Sequence, residues 1–150
     1  MFDHYLVLMA DAHAVPASMV LDLWPAVSGY LEKAMSYYPF MTAGDVQAQL
    51  LAGQAQLLVV VDGNRIPICA VMESRETPSC RVAWILALGG KVGSLAEHSD
   101  VLQEVIEGWS RAHGCSSIAA IGRRGWSRAW KQRGWVILPS VTATKELAGA

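Results

Sequence analysis

The apolar positions along the chain change period several times, and each change marks an element. Residues 5–10 form a short apolar run that reads as a first strand. From Pro16 to about residue 35 the spacing becomes helical, with Leu21, Trp24, Val27 (or Ser28) and Leu31 on one face. Pro16 suits a first turn, where a missing N–H goes unnoticed. Pro25 lies inside the pattern and predicts a kink or a pair of short helices. Tyr37-Tyr38-Pro39-Phe40 reads as a loop. Thr42 then caps a predicted helix over 45–51, with Asp45 favourably placed in its first turn and Gly53 ending it.

The middle of the chain is β-rich. Residues 56–61 are dominated by β-branched side chains, and Asp62-Gly63-Asn64 is a strong hairpin turn. Residues 66–73 return as the partner strand, with Pro67 near its start, where a strand tolerates it. Thr77-Pro78-Ser79 turns the chain again, and 81–88 completes a three-strand meander that stops at Gly89-Gly90. Ser94-Leu95-Ala96-Glu97 fits a capping box, and Ser99-Asp100 offers a second cap. Val101, Leu102, Val105, Ile106 and Trp109 then define the apolar face of a helix stopped by Gly114. Residues 115–121 read as a buried strand, 122–135 as a helix, and 135–138 and 141–147 as closing strands around Pro139. The expected order is β-α-α-β-β-β-α-β-α-β-β, an α/β (α+β) arrangement in one domain over 1–150, with no repeat or linker.

Composition narrows the function classes. Hydrophobic residues make up 53% of the 150 and charged residues 17%, which is globular. The formal charge is −1, but GRRGWSRAWKQRGW (122–135) holds five of the twelve cations and no acid. The remaining seven cations face thirteen acids, a balance of −6. One basic stretch on an acidic body suits a small anionic ligand better than a nucleic-acid duplex.

Cys69, Cys80 and Cys115 are odd in number and far apart, without the spacing of a zinc site or a disulfide framework. Reduced thiols in a cytoplasmic setting are the expectation. The first residues lack a positive stretch ahead of their apolar run, so a signal peptide is not expected, and no apolar run has the length of a membrane span. His4, His13, His98 and His113 show no metal spacing and are expected at the surface or at helix ends. Cys115 is expected as a packed thiol, and Ser94 and Ser99 as caps.

The element order, with its meander, glycine-rich turn into a helix, and strand-helix-strand close, resembles the GNAT (GCN5-related N-acetyltransferase) fold. A narrower likeness lies in VLQEVIEGWSRAHGCSSIAAIGRRGWSRAWKQRGWVILPSVTATKEL (101–147). It is similar to the C-terminal half of GNAT-like proteins encoded by tailed bacteriophages. The matching pieces are Trp109, Gly114-Cys115, Gly122-Arg123, Gly125-Trp126, Arg128, Gly134 and Lys145-Glu146-Leu147. MTAGDVQAQLLAGQAQLLVVVDGN, upstream, is similar to the same proteins.

The resemblance implies acetyl-CoA held where two central strands part. Its pantetheine arm would follow the backbone of Leu86, Ala87 and Leu88, and its pyrophosphate would meet Gly89, Gly90, Lys91, Val92, Gly93 and Ser94. Unpaired amides and the helix dipole favour an anion at such a helix start. LALGGKVGSLAEH does not, however, contain the family's usual phosphate-loop spacing. Arg123 and Arg124, at the strand-to-helix junction, are candidates for a further phosphate contact. Glu73, ending the second meander strand, is the candidate base for the amine, although a solvated charge beside Arg75 is the plainer reading. Many GNAT enzymes carry a Tyr acid on the helix after the fifth strand. Here Trp126, Ser127 and Trp130 occupy that stretch, so either Ser127 or a water protonates the thiolate, or the chain does not catalyse.

Within 122–135, Trp126 and Trp130 share a helical face, and Arg124, Arg128 and Lys131 share an adjacent one. This predicts indoles against the sheet and cations in water. Two functional readings stand side by side: an acyl-CoA-dependent N-acetyltransferase acting on a protein or small-molecule amine in the host cytoplasm, and a non-catalytic GNAT-fold phage protein of the virion or its assembly. A phage-encoded inhibitor or modifier of a host protein is a third.

Overall fold

The computed structural model describes residues 11–121, 127–138 and 143–149. The strand expected over 5–10 lies outside them. Five strands form one sheet in sequential order. They are β1 (Asp11–Val15), β2 (Gln56–Asp62), β3 (Arg65–Glu76), β4 (Arg81–Gly90) and β5 (Ser117–Ala120). The first four pair antiparallel, and β5 runs parallel to β4. A parallel neighbour needs a long crossover. Here the crossover is the helix α3 (Ser94–Ala112).

Helix α1 (Val20–Met35) and helix α2 (Ala43–Leu51) cover one face of the sheet, where Val27, Leu31, Val46 and Leu50 pack with Leu57, Val59, Cys69 and Val71. On the opposite face Leu102 and Ile106 of α3 pack with Leu58, Val60, Ile68, Ala70 and Met72. Strict alternation along β2 and β3 divides these side chains between the two faces. Strands covered on both sides have no polar face, which is why residues 57–60 are continuously apolar.

Thr42 caps α2 as expected, within a full capping box: its Oγ1 accepts from the Asp45 amide while the Asp45 carboxylate accepts from the Thr42 amide. Gly53 and Gly63 take the left-handed backbone required after a helix and in a tight hairpin. Pro67 sits at an irregularity in the β2–β3 register, where no regular ladder donor is asked of it.

Several expectations are corrected. Leu21 is 58% exposed while Val20 is 1% exposed, so the buried stripe of α1 begins one residue earlier. A three-residue 3₁₀ turn (Ala17–Met19) precedes α1 and sets that phase. Helix α1 runs through Pro25 as one helix. Ser94 is its helix's first residue and caps nothing with its side chain, because left-handed Gly93 takes the N-cap position. Ser99 and Asp100 likewise lie inside α3. His98 is buried, carried inward on the ridge Ser94, His98, Leu102, Ile106, Ser110, four residues apart. Strand β5 is short and only half covered. Residues 135–138 and 143–147, expected as strands, form none. Instead Trp135 Nε1 donates to Gln103 Oε1 at 3.2 Å and the Arg133 guanidinium bonds the Ser99 hydroxyl, so the chain at 133–135 is tied to side chains of α3.

Candidate functional site

The site arises from two departures in β4. Opposite Val71 and Met72 the strand holds one residue too many: Val71 faces Ala87 while Met72 faces Ile85, leaving Leu86 as a bulge. On its other edge β4 pairs with β5 only as far as Ile85 and Ala120. Beyond that point the two parallel strands part, and Leu86 to Gly90 present an edge with no strand partner among the described residues.

A cavity of about 430 Å³ opens along this edge. Strand β4 and the turn after it supply one wall continuously, from Trp84 through Gly93, so Leu86, Ala87, Leu88, Gly89, Gly90, Lys91, Val92 and Gly93 all line it. Ser94 does not; it is buried beneath the start of α3. The facing wall comes from α1 and the turn after it, through Tyr30, Lys33, Tyr37 and Tyr38, and Trp130 closes a further side. The described lining includes Lys33 and Lys91 and no carboxylate, an electrostatic setting that favours an anion.

The glycine turn has a structural reason of its own. A Cβ on Gly89 would lie 2.7 Å from the Tyr30 carbonyl oxygen, and one on Gly90 would lie 2.6 Å from the Pro67 carbonyl oxygen. Both glycines let backbones approach within the protein. Gly93, with φ 85°, turns the chain into α3, and its Cβ position is open. Just beyond, the Leu95 and Ala96 amides have no carbonyl partner, as expected of a first helical turn. Lys91 and Val92 are exposed, Val92 by 94%.

Glu73 lies at the β3–β4 pair, directly opposite Trp84. It is outside the cavity lining but joined to it. Arg75 Nε donates to Glu73 Oε1 at 2.5 Å, and the Arg75 guanidinium lies 4.6 Å from the centroid of the Trp84 ring, which does line the cavity. Ser127 opens the short helix α4 (Ser127–Gln132), three residues before Trp130. Trp130 stacks on Trp135 with centroids 5.5 Å apart. Arg128 and Lys131 are exposed, as expected. Arg123, Arg124 and Trp126 lie outside the described residues.

Sequence reasoning did not single out Tyr30, Lys33, Tyr37 or Trp84. The three on or just after α1 recur at i, i+3 and i+7, which places them on one helical face. Nothing local says that this face looks onto β4. The remaining candidates of the sequence form no site. The Cys69 thiol is buried, and burial pushes its pKa up to about 12. Cys115 Sγ sits 3.7 Å from Ser74 Oγ, half-buried ahead of β5. His113 stacks on Trp109 at the end of α3. Among the described residues no three His, Cys, Asp or Glu side chains gather as a metal site, and no helix is long and apolar enough to cross a membrane.

A mixed, mostly antiparallel sheet flanked by helices in this order is the GNAT-like arrangement that the sequence resembles. No protein-family model matches the chain, and no curated protein matches it in sequence. Solved structures match it in fold over nearly its whole length. An aminoglycoside acetyltransferase from an uncultured soil metagenomic sample has a TM-score of 0.72 at 11% identity, covering 93% of this chain and 99% of that one. A predicted acetyltransferase of Clostridium acetobutylicum, solved with acetyl-CoA, has a TM-score of 0.68 at 10% identity, covering 91% and 96%. A GCN5-related N-acetyltransferase of Ralstonia eutropha JMP134 has a TM-score of 0.67 at 13% identity, covering 94% and 100%. At such identities the likeness is one of fold.

Proposed function

We propose that the chain is an acyl-CoA-dependent N-acetyltransferase. The observation that carries this reading is the edge of β4 without a strand partner among the described residues, running from the Leu86 bulge to the glycine turn along a cavity with cationic and no acidic described lining. Acetyl-CoA, when bound, supplies an activated acetyl thioester. The backbone of Leu86, Ala87 and Leu88 would hold the pantetheine arm, whose amides need strand-like partners. Gly89, Gly90, Lys91, Val92 and Gly93 would receive the pyrophosphate, with the Leu95 and Ala96 amides of α3 and the Lys91 ammonium as donors, while the buried Ser94 is set apart from the cavity. Arg123 and Arg124, where the sequence passes from strand to helix, would add a further phosphate contact.

Acetyl transfer forms a C–N bond at the acceptor amine and breaks the C–S bond. The amine must first give up a proton, a step this reading assigns to Glu73 directly or through water. The departing sulfur then takes a proton from Ser127 or from water. Indole N–H is too weak an acid for that step, so Trp130 serves as wall alone.

Calorimetry with acetyl-CoA tests the proposal. Saturable binding is expected, and no heat at millimolar cofactor overturns it. Gly90→Glu would be ambiguous, since its Cβ meets the backbone of β3. Lys91→Glu reverses a charge in water and is the cleaner variant; it should weaken acetyl-CoA by about tenfold or more while leaving the circular dichroism unchanged.

The second reading, a non-catalytic GNAT-fold component of a phage virion or its assembly, is favoured by Trp130 lining the cavity and by a Glu73 already engaged with Arg75. Its sign would be recovery of the chain in purified particles at fixed stoichiometry. Without acetyl-CoA binding or that recovery, modification or inhibition of a host protein is the remaining role.

A further inference from the structure

The Glu73–Arg75–Trp84 cluster has a geometry that fold stability does not account for. Both charged side chains are partly exposed, at 23% for Glu73 and 42% for Arg75, and an ion pair so placed contributes little to stability. Yet Arg75 is restrained twice. Its Nε is held by Glu73 Oε1, and its Cζ lies over the Trp84 ring, 4.6 Å from the centroid. The two contacts together restrain where the guanidinium sits. Among the described residues the two terminal nitrogens, a fork, meet no acceptor, and Glu73 Oε2 meets no donor.

Trp84 carries this fork to the cavity. It lines the wall on the Ile85 side of the Leu86 bulge, and β4 runs from there to Lys91 and the glycine turn. Lys91 thus marks one end of the β4 wall and Arg75 flanks the other. Lys33, on the facing wall, adds a second cation to a described lining without acids.

We propose that Arg75 reads a carboxylate on the acceptor, so that the amine acetylated here belongs to a small amino acid, with ammonium and carboxylate on one molecule. The assignment rests on the acetyltransfer reading and deepens it. A planar two-nitrogen fork matches a carboxylate, and a free carboxylate oxygen beside it matches an ammonium. Glu73 and Arg75, two residues apart on one strand face, present that pair of opposite groups together. Through its contact with Glu73, Arg75 also orients the carboxylate assigned as base.

The test compares aliphatic α-, β- and γ-amino acids with their methyl esters as acceptors, with acetyl-CoA affinity measured alongside. The wild-type protein should prefer acid over ester by about tenfold or more in kcat/KM. Arg75→Gln should erase that preference, chiefly through KM for the acid, and Arg75→Lys should restore part of it. Wild-type protein that uses esters as well as acids overturns the assignment. So does an Arg75→Gln variant that lowers both equally and keeps their ratio, the pattern of a merely structural role. If acetyl-CoA binds but no acceptor turns over, calorimetry of acid and ester on the CoA-saturated protein decides, and absence of acid-selective binding overturns it. Failure to bind acetyl-CoA is a separate result, which removes the acetyltransfer reading and this assignment with it.

Discussion

Gly89 of β4 and Tyr30 of α1 touch backbone to backbone: a methyl group on Gly89 would stand 2.7 Å from the Tyr30 carbonyl oxygen and 3.0 Å from the Tyr30 Cβ. The helix can lie this close to the strand only because no side chain intervenes. The same contact fixes where Lys33 and Tyr37, one and two helical turns further on, meet the cavity.

Gly89→Ala should therefore destabilise the protein by about 1–3 kcal/mol, the usual range for overpacking against atoms that cannot step aside. Gly108→Ala is the control. Gly108 is an exposed position inside α3 with open space at its Cβ, and alanine there should stabilise by about 0.5–1 kcal/mol. Urea unfolding of both variants checks the contrast, and equal effects would remove the packing explanation for Gly89.

Thr42→Ala removes the half of the α2 capping box in which Thr42 Oγ1 accepts from the Asp45 amide, and keeps the backbone N–H that donates to the Asp45 carboxylate. A loss of about 1 kcal/mol is expected from the same unfolding curves. Thr42→Ser keeps the accepting oxygen and should retain most of the stability. A Ser variant as damaged as the Ala variant would show that the hydroxyl is not what matters.

Cys69 makes stability depend on pH on the alkaline side. Its thiol titrates near 12 when folded, because burial disfavours the thiolate, against an ordinary value of 9.0. The neutral thiol is therefore favoured by the native state, and its contribution is complete below pH 9. Between about 9 and 12 the unfolded chain loses this proton first, so stability falls as pH rises, by up to about tenfold in the unfolding equilibrium per pH unit. Other groups also titrate there, so the comparison is with Cys69→Ala, whose stability should fall less steeply over this interval. In native protein a thiol reagent should label Cys80 and Cys115 ahead of Cys69. Labelling of Cys69 at the rate of the other two would contradict its burial.

Under the acetyltransfer reading, Ser127→Ala should lower kcat by about 10²-fold with acetyl-CoA affinity unchanged, if the Ser127 hydroxyl delivers the proton to sulfur. An unchanged kcat assigns that proton to water. Steady-state kinetics with calorimetry on the same preparation separates the two.

What could be read from the chain was local. Thr42 with Asp45, Gly63 in its hairpin and Gly114 after α3 each state their own geometry, because cap and turn chemistry acts over a few residues. The glycine turn after β4 lies where the sequence predicts it, but the cap of α3 does not. Ser94 looks like a cap until the backbone of Gly93 is known, and a serine one residue late is simply the first residue of the helix. Leu21 and Val20 differ by one step of helical phase, which the short 3₁₀ turn before them sets. The aromatic wall of the cavity and the place of Arg75 over Trp84 depend on pairings between separate elements, and no period reveals them. The strands expected over 135–138 and 141–147 have the composition of strands, but their described residues form none, and Trp135 bonds instead to Gln103 of α3.

The extra residue in β4 acts on the strand as an inserted letter acts on a reading frame. Before it, Ala83 and Ile85 face α3; after it, Ala87 faces α1 and Leu88 faces α3. Deleting Leu86 would return the strand to plain alternation, with Ala87 still toward α1, Leu88 still toward α3 and every other pair with β3 kept. What would go is the place where two successive residues, Leu86 and Ala87, turn to the same face beside the cavity. The insertion is thus a local device that the core tolerates and does not itself require.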